Sequence, residues 1–313
     1  MIEGKADIEI EGVFYNKWME LSRNLSIEVI KKIPGIKVLD AFSASGVRGI
    51  RYKLEANVEK VDFLDISKKA VDIIKRNLNK NGIDGNVFRS KFEDFQNFND
   101  YDFIEIDPFG SPSAYIPIVI SRMKKKIFYL SVTATDTAVS CGKFPKACMR
   151  YYLAKPLLDK SCHETALRIL IGYIARIGWI YNYNTTPLMS FYYRHQIKTI
   201  VKMQRGFVDF SKIGYLKLKN KQKYISKYGY GPIWLDNYYQ KEYINPNYPI
   251  MKIISEELSI PYHYDIHEIA SYLKAKELPK IEEILSSIKA SRTHFSPTGI
   301  KTEEYKEFLE LFT

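Results

Sequence analysis

The sequence predicts an α/β chain: a doubly wound, mostly parallel sheet followed by a smaller α+β unit. Three observations predict it. Short apolar runs alternate with stretches of helical period through the first 206 residues. Three of those runs close on an acid, Asp40, Asp65 and Asp107, where strands of such a sheet present their carboxyl ends. The last third loses the alternation and opens on a lysine- and tyrosine-rich stretch. The boundary is placed at Gly206, giving one domain over 1–206 and a second over 207–313.

Val38-Leu39-Asp40 is the first strand and runs into Ala41–Gly49. Val61–Asp65 is the second. Lys68–Asn81 follows at helical period, with Val71, Ile74 and Leu78 on one face. Val87-Phe88 and Phe103–Ile106 are the third and fourth strands, Ala114–Met123 a helix, and Ile127–Val132 the fifth strand. Helices are expected over 146–153 and 164–180, the second packing Leu167, Ile171 and Ile174. Met189–Tyr193 and Gln196–Met203 form an antiparallel finish to the sheet. In the second part, Met251–Leu258, His267–Lys274 and Ile281–Lys289 read as helices. The last two have the spacing of a helix-turn-helix, with Arg292–Gly299 as a wing-like loop.

Composition narrows the class. The chain has 313 residues, 46% apolar, enough for two domains with sizeable cores. No apolar run reaches bilayer length, and Met1–Lys5 begins no signal peptide, so a cytoplasmic protein with no membrane partner is expected. The net charge of +11 favours a polyanionic partner. That excess is uneven: 32 Lys and Arg against 22 Asp and Glu in 1–206, and 15 against 14 in 207–313. Cys141, Cys148 and Cys162 show no metal-binding spacing and read as small buried hydrophobes. His263 and His267 lack a third ligand, so no metal is expected. The stretch 211–235, with six lysines and no acid, suits either a phosphate-tracking surface or a solvated loop.

Asp107-Pro108-Phe109-Gly110-Ser111-Pro112 carries the chemistry. An acid, a proline and an aromatic at a strand exit suit methylation of an exocyclic amine on a flat base. Such a nitrogen shares its lone pair with the ring. A carboxylate against its N–H can turn that pair toward an electrophile and take the proton. The proline stiffens the turn and the aromatic stacks on the base. The loop after the first strand has only Gly46 and Gly49, fewer than a dinucleotide pyrophosphate wants. Asp65, 25 residues beyond Asp40, is placed to hold ribose hydroxyls. Together these suit S-adenosylmethionine, although Asp40 and Asp65 equally suit helix capping.

With these segments in place, the chain resembles the archaeal and eukaryotic tRNA (guanine-26-N2)-dimethyltransferases. The matching segments are 13–16, 22–26, 43–51, the hexapeptide, 134–138, 162–164, 231–235 and 293–302, in the family's order. The resemblance implies a class I (Rossmann-like) S-adenosylmethionine-dependent methyltransferase domain and a C-terminal domain that helps to hold tRNA. It implies S-adenosylmethionine as donor and N2-methyl- then N2,N2-dimethylguanosine as products. By position, Asp107 is the catalytic carboxylate, with Phe14 and Phe109 sandwiching the guanine. Arg23 and Arg48 meet the donor's amino-acid end, Asp65 its ribose, and Phe92, beside Lys91, borders the adenine. Asp40 is counted with the donor site. Family members often carry a four-cysteine zinc cluster in the second domain; residues 207–313 have no cysteine, so none is expected. A monomer is expected. Two rivals remain open: an exocyclic-amine methyltransferase for another base or RNA, and a non-catalytic RNA-binding protein on this scaffold.

Overall fold

The computed structural model describes residues 1–312. The chain divides into two compact units. One holds 1–134, 177–189 and 198–208; the other holds 135–176, 190–197 and 209–313. The division is therefore not a single cut near Gly206, because 135–176 and the 190–197 hairpin tip group with the C-terminal third.

The first unit starts with a ribbon of β1 (Ile2–Glu3) and β2 (Ala6–Asp7), then α1 (Glu20–Ile30). Next come β3 (Lys37–Ala41), α2 (Val47–Glu55), β4 (Lys60–Asp65), α3 (Lys68–Asn81), β5 (Val87–Arg89), β6 (Phe103–Ile106), α4 (Tyr115–Arg122) and β7 (Ile127–Ala134). The chain then makes α5 (Thr137–Ser140), α6 (Pro145–Tyr152) and α7 (Cys162–Ile180), and returns through β8 (Tyr183–Tyr193) and β9 (Gln196–Arg205). The seven-stranded sheet runs β5-β4-β3-β6-β7-β9-β8. Its first four pairings are parallel, with β3 between β4 and β6. The two-residue link between β8 and β9 makes an antiparallel hairpin of the last pair.

Local chemistry accounts for these elements. Ser67 caps α3 by accepting from the Ala70 N–H, and Gly82 ends it in the left-handed region at φ +62°. Val71, Ile74 and Leu78 are buried as the period predicts. β8 starts six residues before the expected Met189. Asn184, Thr185, Thr186 and Pro187 read as turn residues, but an edge strand accepts proline. Buried Tyr183 holds that end by donating its hydroxyl to the Lys125 carbonyl at 2.8 Å.

In the second unit, 211–235 is not a loop. It forms β10 (Ile213–Lys219), β11 (Gln222–Ser226) and β12 (Tyr230–Trp234), a sheet of order β11-β10-β12. Then follow α8 (Pro249–Glu256), β13 (Tyr264–Asp265), α9 (Ile266–Leu273), α10 (Ile281–Ser287), β14 (Ala290–Thr293), β15 (Ser296–Thr302) and α11 (Tyr305–Glu310). The helix-turn-helix spacing resolves into α9 and α10, and the wing into the β14–β15 hairpin. Tyr264, Ile269, Ile284, Ile300 and Phe308 make their shared core. No helix among the described residues is long and apolar enough to cross a membrane.

Candidate active site

The strand order reverses direction at β3 and β6, which opens a crevice beyond their carboxyl ends. The loop 42–46 leaves β3 there, and the hexapeptide leaves β6 there. Phe42, Ala44 and Gly46 all have positive φ, at 61°, 48° and 76°. For the two non-glycine residues that costs of order 1–3 kcal/mol each. Hydrogen bonds hold the turn: the Ser43 hydroxyl donates to the Asp40 carbonyl, and Asp65 Oδ2 accepts from the Ala44 N–H at 2.9 Å. Gly49 lets α2 lie close on the sheet, since a Cβ there would stand 2.6 Å from the Phe63 ring.

Beside this loop lies a cavity of about 490 Å³, lined by Phe42, Asp65, Ile66, Lys91, Phe92 and Tyr115 among others. Its size suits a nucleoside. Phe42 and Phe92 stack with centroids 5.1 Å apart, and Tyr115 meets both edge-on. Asp65 is therefore at a nucleoside-sized pocket with an aromatic wall.

Next to it lies a cluster of buried charge. The Arg48 Nη2 donates to Asp107 Oδ2 at 2.5 Å, and its Nε lies 3.8 Å from Glu105. Lys198, fully buried on β9, donates to Glu105 at 2.5 Å and to Thr133 Oγ1 at 3.1 Å. The Tyr52 hydroxyl donates to the other Glu105 oxygen at 2.8 Å. Burial alone would raise the Asp107 carboxyl. Arg48, Lys198 and a Thr133 hydrogen bond outweigh it and hold the group below the usual carboxylate range. Arg48 keeps Nη1 buried without a hydrogen-bond partner among the described residues. A buried guanidinium with one free edge fits a carboxylate ligand, such as an amino-acid end lying alongside the cavity.

Asp40 feels the charges of Arg48, Glu105 and Asp107 but stands behind them in the core. It is buried beneath α2 and accepts from the Gly49 N–H at 2.9 Å, as a capping residue does. Burial pushes it up to about 8 despite Arg48. Arg23 also stands apart. It makes a two-pronged ion pair with Glu3, at 2.7 and 2.5 Å, and donates to the Asn16 carbonyl at 3.1 Å. The pair ties β1 to the segment that bears Phe14.

Phe14 and Phe109 do meet. Their rings touch edge to face, with centroids 4.7 Å apart and planes 82° apart, and are 55% and 78% exposed. Gly110, at φ +79°, turns the chain behind Phe109 with open space where a Cβ would be. A base between parallel rings needs roughly 7 Å, two contacts of about 3.5 Å, so the rings must open to admit one.

The sequence reading passes over Glu105, Lys198, Tyr52, Phe42 and Tyr115. The available signals were a glutamate and a lysine inside apolar strands, Ile104-Glu105-Ile106 and Ile197-Lys198-Thr199-Ile200.

Residues 3–225 match the family described as N2,N2-dimethylguanosine tRNA methyltransferase. A tRNA (guanine(26)-N(2))-dimethyltransferase of Pyrococcus horikoshii is 35% identical, over 98% of this chain and 96% of its own. One from Methanocaldococcus jannaschii is 34% identical, over 93% and 89%. The solved structure of Trm1 from Pyrococcus horikoshii with S-adenosyl-L-methionine superposes with a TM-score of 0.90. It is 33% identical and covers 100% of this chain and 99% of its own.

Proposed function

The chain belongs to the tRNA (guanine-26-N2)-dimethyltransferase family, and from that premise we propose how its residues divide the work. It is an S-adenosylmethionine-dependent enzyme that methylates the exocyclic N2 of guanine in tRNA. The first unit carries the chemistry and the second holds tRNA. The donor supplies an electrophilic methyl group on a sulfonium. Asp65 would hold its ribose, Phe92, Phe42 and Tyr115 its adenine, and the free edge of Arg48 its carboxylate. Arg23 acts as an anchor for the segment bearing Phe14.

The observation that carries the reading is Asp107. It is ionised, oriented by Arg48 and at the mouth of the crevice. The target base must leave its stack, at a cost of a few kcal/mol. Each stack on Phe14 or Phe109 offsets about 1–3 kcal/mol of that. Asp107 then accepts a hydrogen bond from N2–H, and the N2 lone pair turns from the ring toward the methyl group. As the N–C bond forms, the bond from the methyl group to sulfur breaks with its electron pair left on sulfur, and the N2 proton passes to the carboxylate. The N2 lone pair is delocalised into the electron-poor purine ring, so N2 carrying both a new methyl group and its proton is far more acidic than a carboxylic acid, and even a depressed Asp107 takes that proton. A second transfer requires the remaining N2 proton to rotate to the same oxygen. The enzyme acts as a cytoplasmic monomer in this reading, which light scattering on the purified protein tests.

Asp107→Ala is expected to lower kcat by about 10²–10⁴ while S-adenosylmethionine binding by calorimetry is retained. Nucleoside mass spectrometry of a tRNA transcript with guanine at position 26 reads the product. Turnover near wild type would remove Asp107 from the mechanism.

A further inference from the structure

Outside the crevice, the second unit carries a surface that the chemistry does not use. Between Lys143 and Lys160 the chain has five cations, Lys143, Lys146, Arg150, Lys155 and Lys160, against one acid, Asp159. The same segment exposes Phe144, Met149, Tyr151, Leu153 and Leu158, the last at 71%. On α6, Lys146, Met149 and Arg150 share one face by their three- and four-residue spacing. Cys148 and Tyr152 are buried on the other, where the Tyr152 hydroxyl donates to Asp136 at 2.8 Å. Arg176 donates to the Tyr152 carbonyl at 2.7 Å and so closes the helix's C-terminal end. Lys155 pairs with Gly231 by two backbone hydrogen bonds of 2.7 Å. The strip is thus held at its middle.

It leads to a cavity of about 750 Å³ lined by Leu158, Lys160, Leu218, Tyr230, His267 and Tyr272 among others. Lys155 lies over the Tyr230 ring, 4.8 Å from its centroid. The two acids at this cavity are each paired, Asp159 with Lys223 at 3.0 Å and Glu268 with Lys221 at 2.6 Å. No bare negative charge opposes an anion.

We propose that the strip 143–160 and the cavity at its end are a docking surface for a stretch of tRNA away from the target guanine, with one unstacked nucleotide in the cavity. The surface interleaves cations with aromatic planes: Lys143 lies 5.8 Å from the Phe144 ring centroid, and Arg150 5.8 Å from that of Tyr151. A nucleic-acid strand has the same alternation, a phosphate and a flat base at each step. A folded acidic protein supplies the charge without the planes. The inference rests on the tRNA reading above.

The test is tRNA affinity, measured against salt, for wild type, K146E/R150E, F144A/Y151A and a control, K75E, on the exposed face of α3. K146E/R150E is expected to weaken binding at least tenfold more than K75E and to flatten the log–log salt slope by about one to two. F144A/Y151A is expected to weaken binding about tenfold with the slope unchanged. Both should keep wild-type affinity for S-adenosylmethionine and recover turnover at high tRNA concentration, as a KM effect. If wild type methylates tRNA but K146E/R150E binds it as tightly as K75E, the docking surface is wrong and the enzyme assignment stands. If wild type neither binds nor methylates tRNA, the functional reading fails as well.

Discussion

Each unit buries a cluster of charge, and the two differ in whether the cluster is closed. In the second unit, Glu164 on α7 accepts from Arg168 at 3.0 Å and Lys301 at 2.5 Å through one oxygen, and meets His263 at 2.7 Å through the other. Glu257 accepts from the His294 N–H at 2.8 Å through one oxygen and from the Tyr238 hydroxyl through the other. Every carboxylate oxygen is used and the acids are sealed. In the first unit, Glu105 is sealed in the same way by Lys198 and Tyr52. The chain of charge then continues through Arg48 to Asp107, whose side chain is 27% exposed. The same residue types make a bolt in one unit and a tool in the other. What separates them is one carboxylate left at a mouth and one guanidinium edge left without a partner, where the second unit's cluster leaves, among the described residues, the ring Nε2 of His263 unpaired and no carboxylate open.

That contrast can be broken at the bolt. Glu164→Gln leaves Arg168 buried without its anion and Lys301 with only Glu257, 3.5 Å away, which should cost about 3–5 kcal/mol. Thermal unfolding should show a clear drop in Tm, while kcat of the folded fraction stays within about twofold of wild type. The acid limb follows from the same pair. Burial would raise Glu164, but Lys301 and Arg168 hold it well below the ordinary range. Its contribution is present above the unfolded carboxylate pKa and is lost only as pH falls through the depressed native value.

Lys198→Met sharpens the contrast from the other side. Lys198 is a positioning residue that occupies Glu105 and helps to hold Asp107 down. Without it, Glu105 competes for Arg48 and the Asp107 pKa rises. The acid limb of kcat should move to higher pH, with kcat near neutrality down about 10-fold, of order 1–2 kcal/mol. A purely structural lysine would lower Tm and leave the limb in place. Phe109→Ala should raise KM for tRNA by roughly the 1–3 kcal/mol of one stack, with kcat little changed in steady-state kinetics.

The smallest effect belongs to Asp40. Its native pKa of about 8 lies above the ordinary carboxylate value. Between those two values the folded state binds more protons than the unfolded one, so stability declines as pH rises and levels off above about 8. Asp40→Asn keeps an acceptor for the Gly49 N–H and removes that slope. The Tm gap between pH 6 and pH 9 should narrow by about 2–4 °C.

Much of the first unit is legible because its strands and helices keep one period each. Lys68–Asn81 and Phe103–Ile106 appear where the pattern puts them. α1 is harder to see, since Arg23, Asn24 and Ser26 interrupt its apolar face; all but Asn24 are buried. At the site, the sequence brings forward Asp107, Arg48, Asp65 and Phe92, and the fold sets Asp107 on Arg48 and Asp65 beside Phe92. It does not separate these from Asp40 and Arg23, because a charged side chain reads alike whether it caps a helix, anchors a strand or faces a ligand. Lys198 and Glu105 lie 93 residues apart and meet only through sheet order. Distance along the chain also hides Cys141, Cys162 and His163, whose ligand atoms gather within 4.8 Å of one another.

In the proposed role of Phe14 and Phe109, their edge-to-face contact makes admission selective. Opening the pair forfeits an aromatic contact of about 0.5–1.5 kcal/mol. Only a visitor broad enough to cover both rings returns more than that. A purine covers both. Water and small solutes cover neither and recover none of that penalty. The same opening penalty falls on every base presented, and a pyrimidine, with its single ring, recovers less of it. Discrimination thus begins with contact area, before any hydrogen bond to the base edge is made.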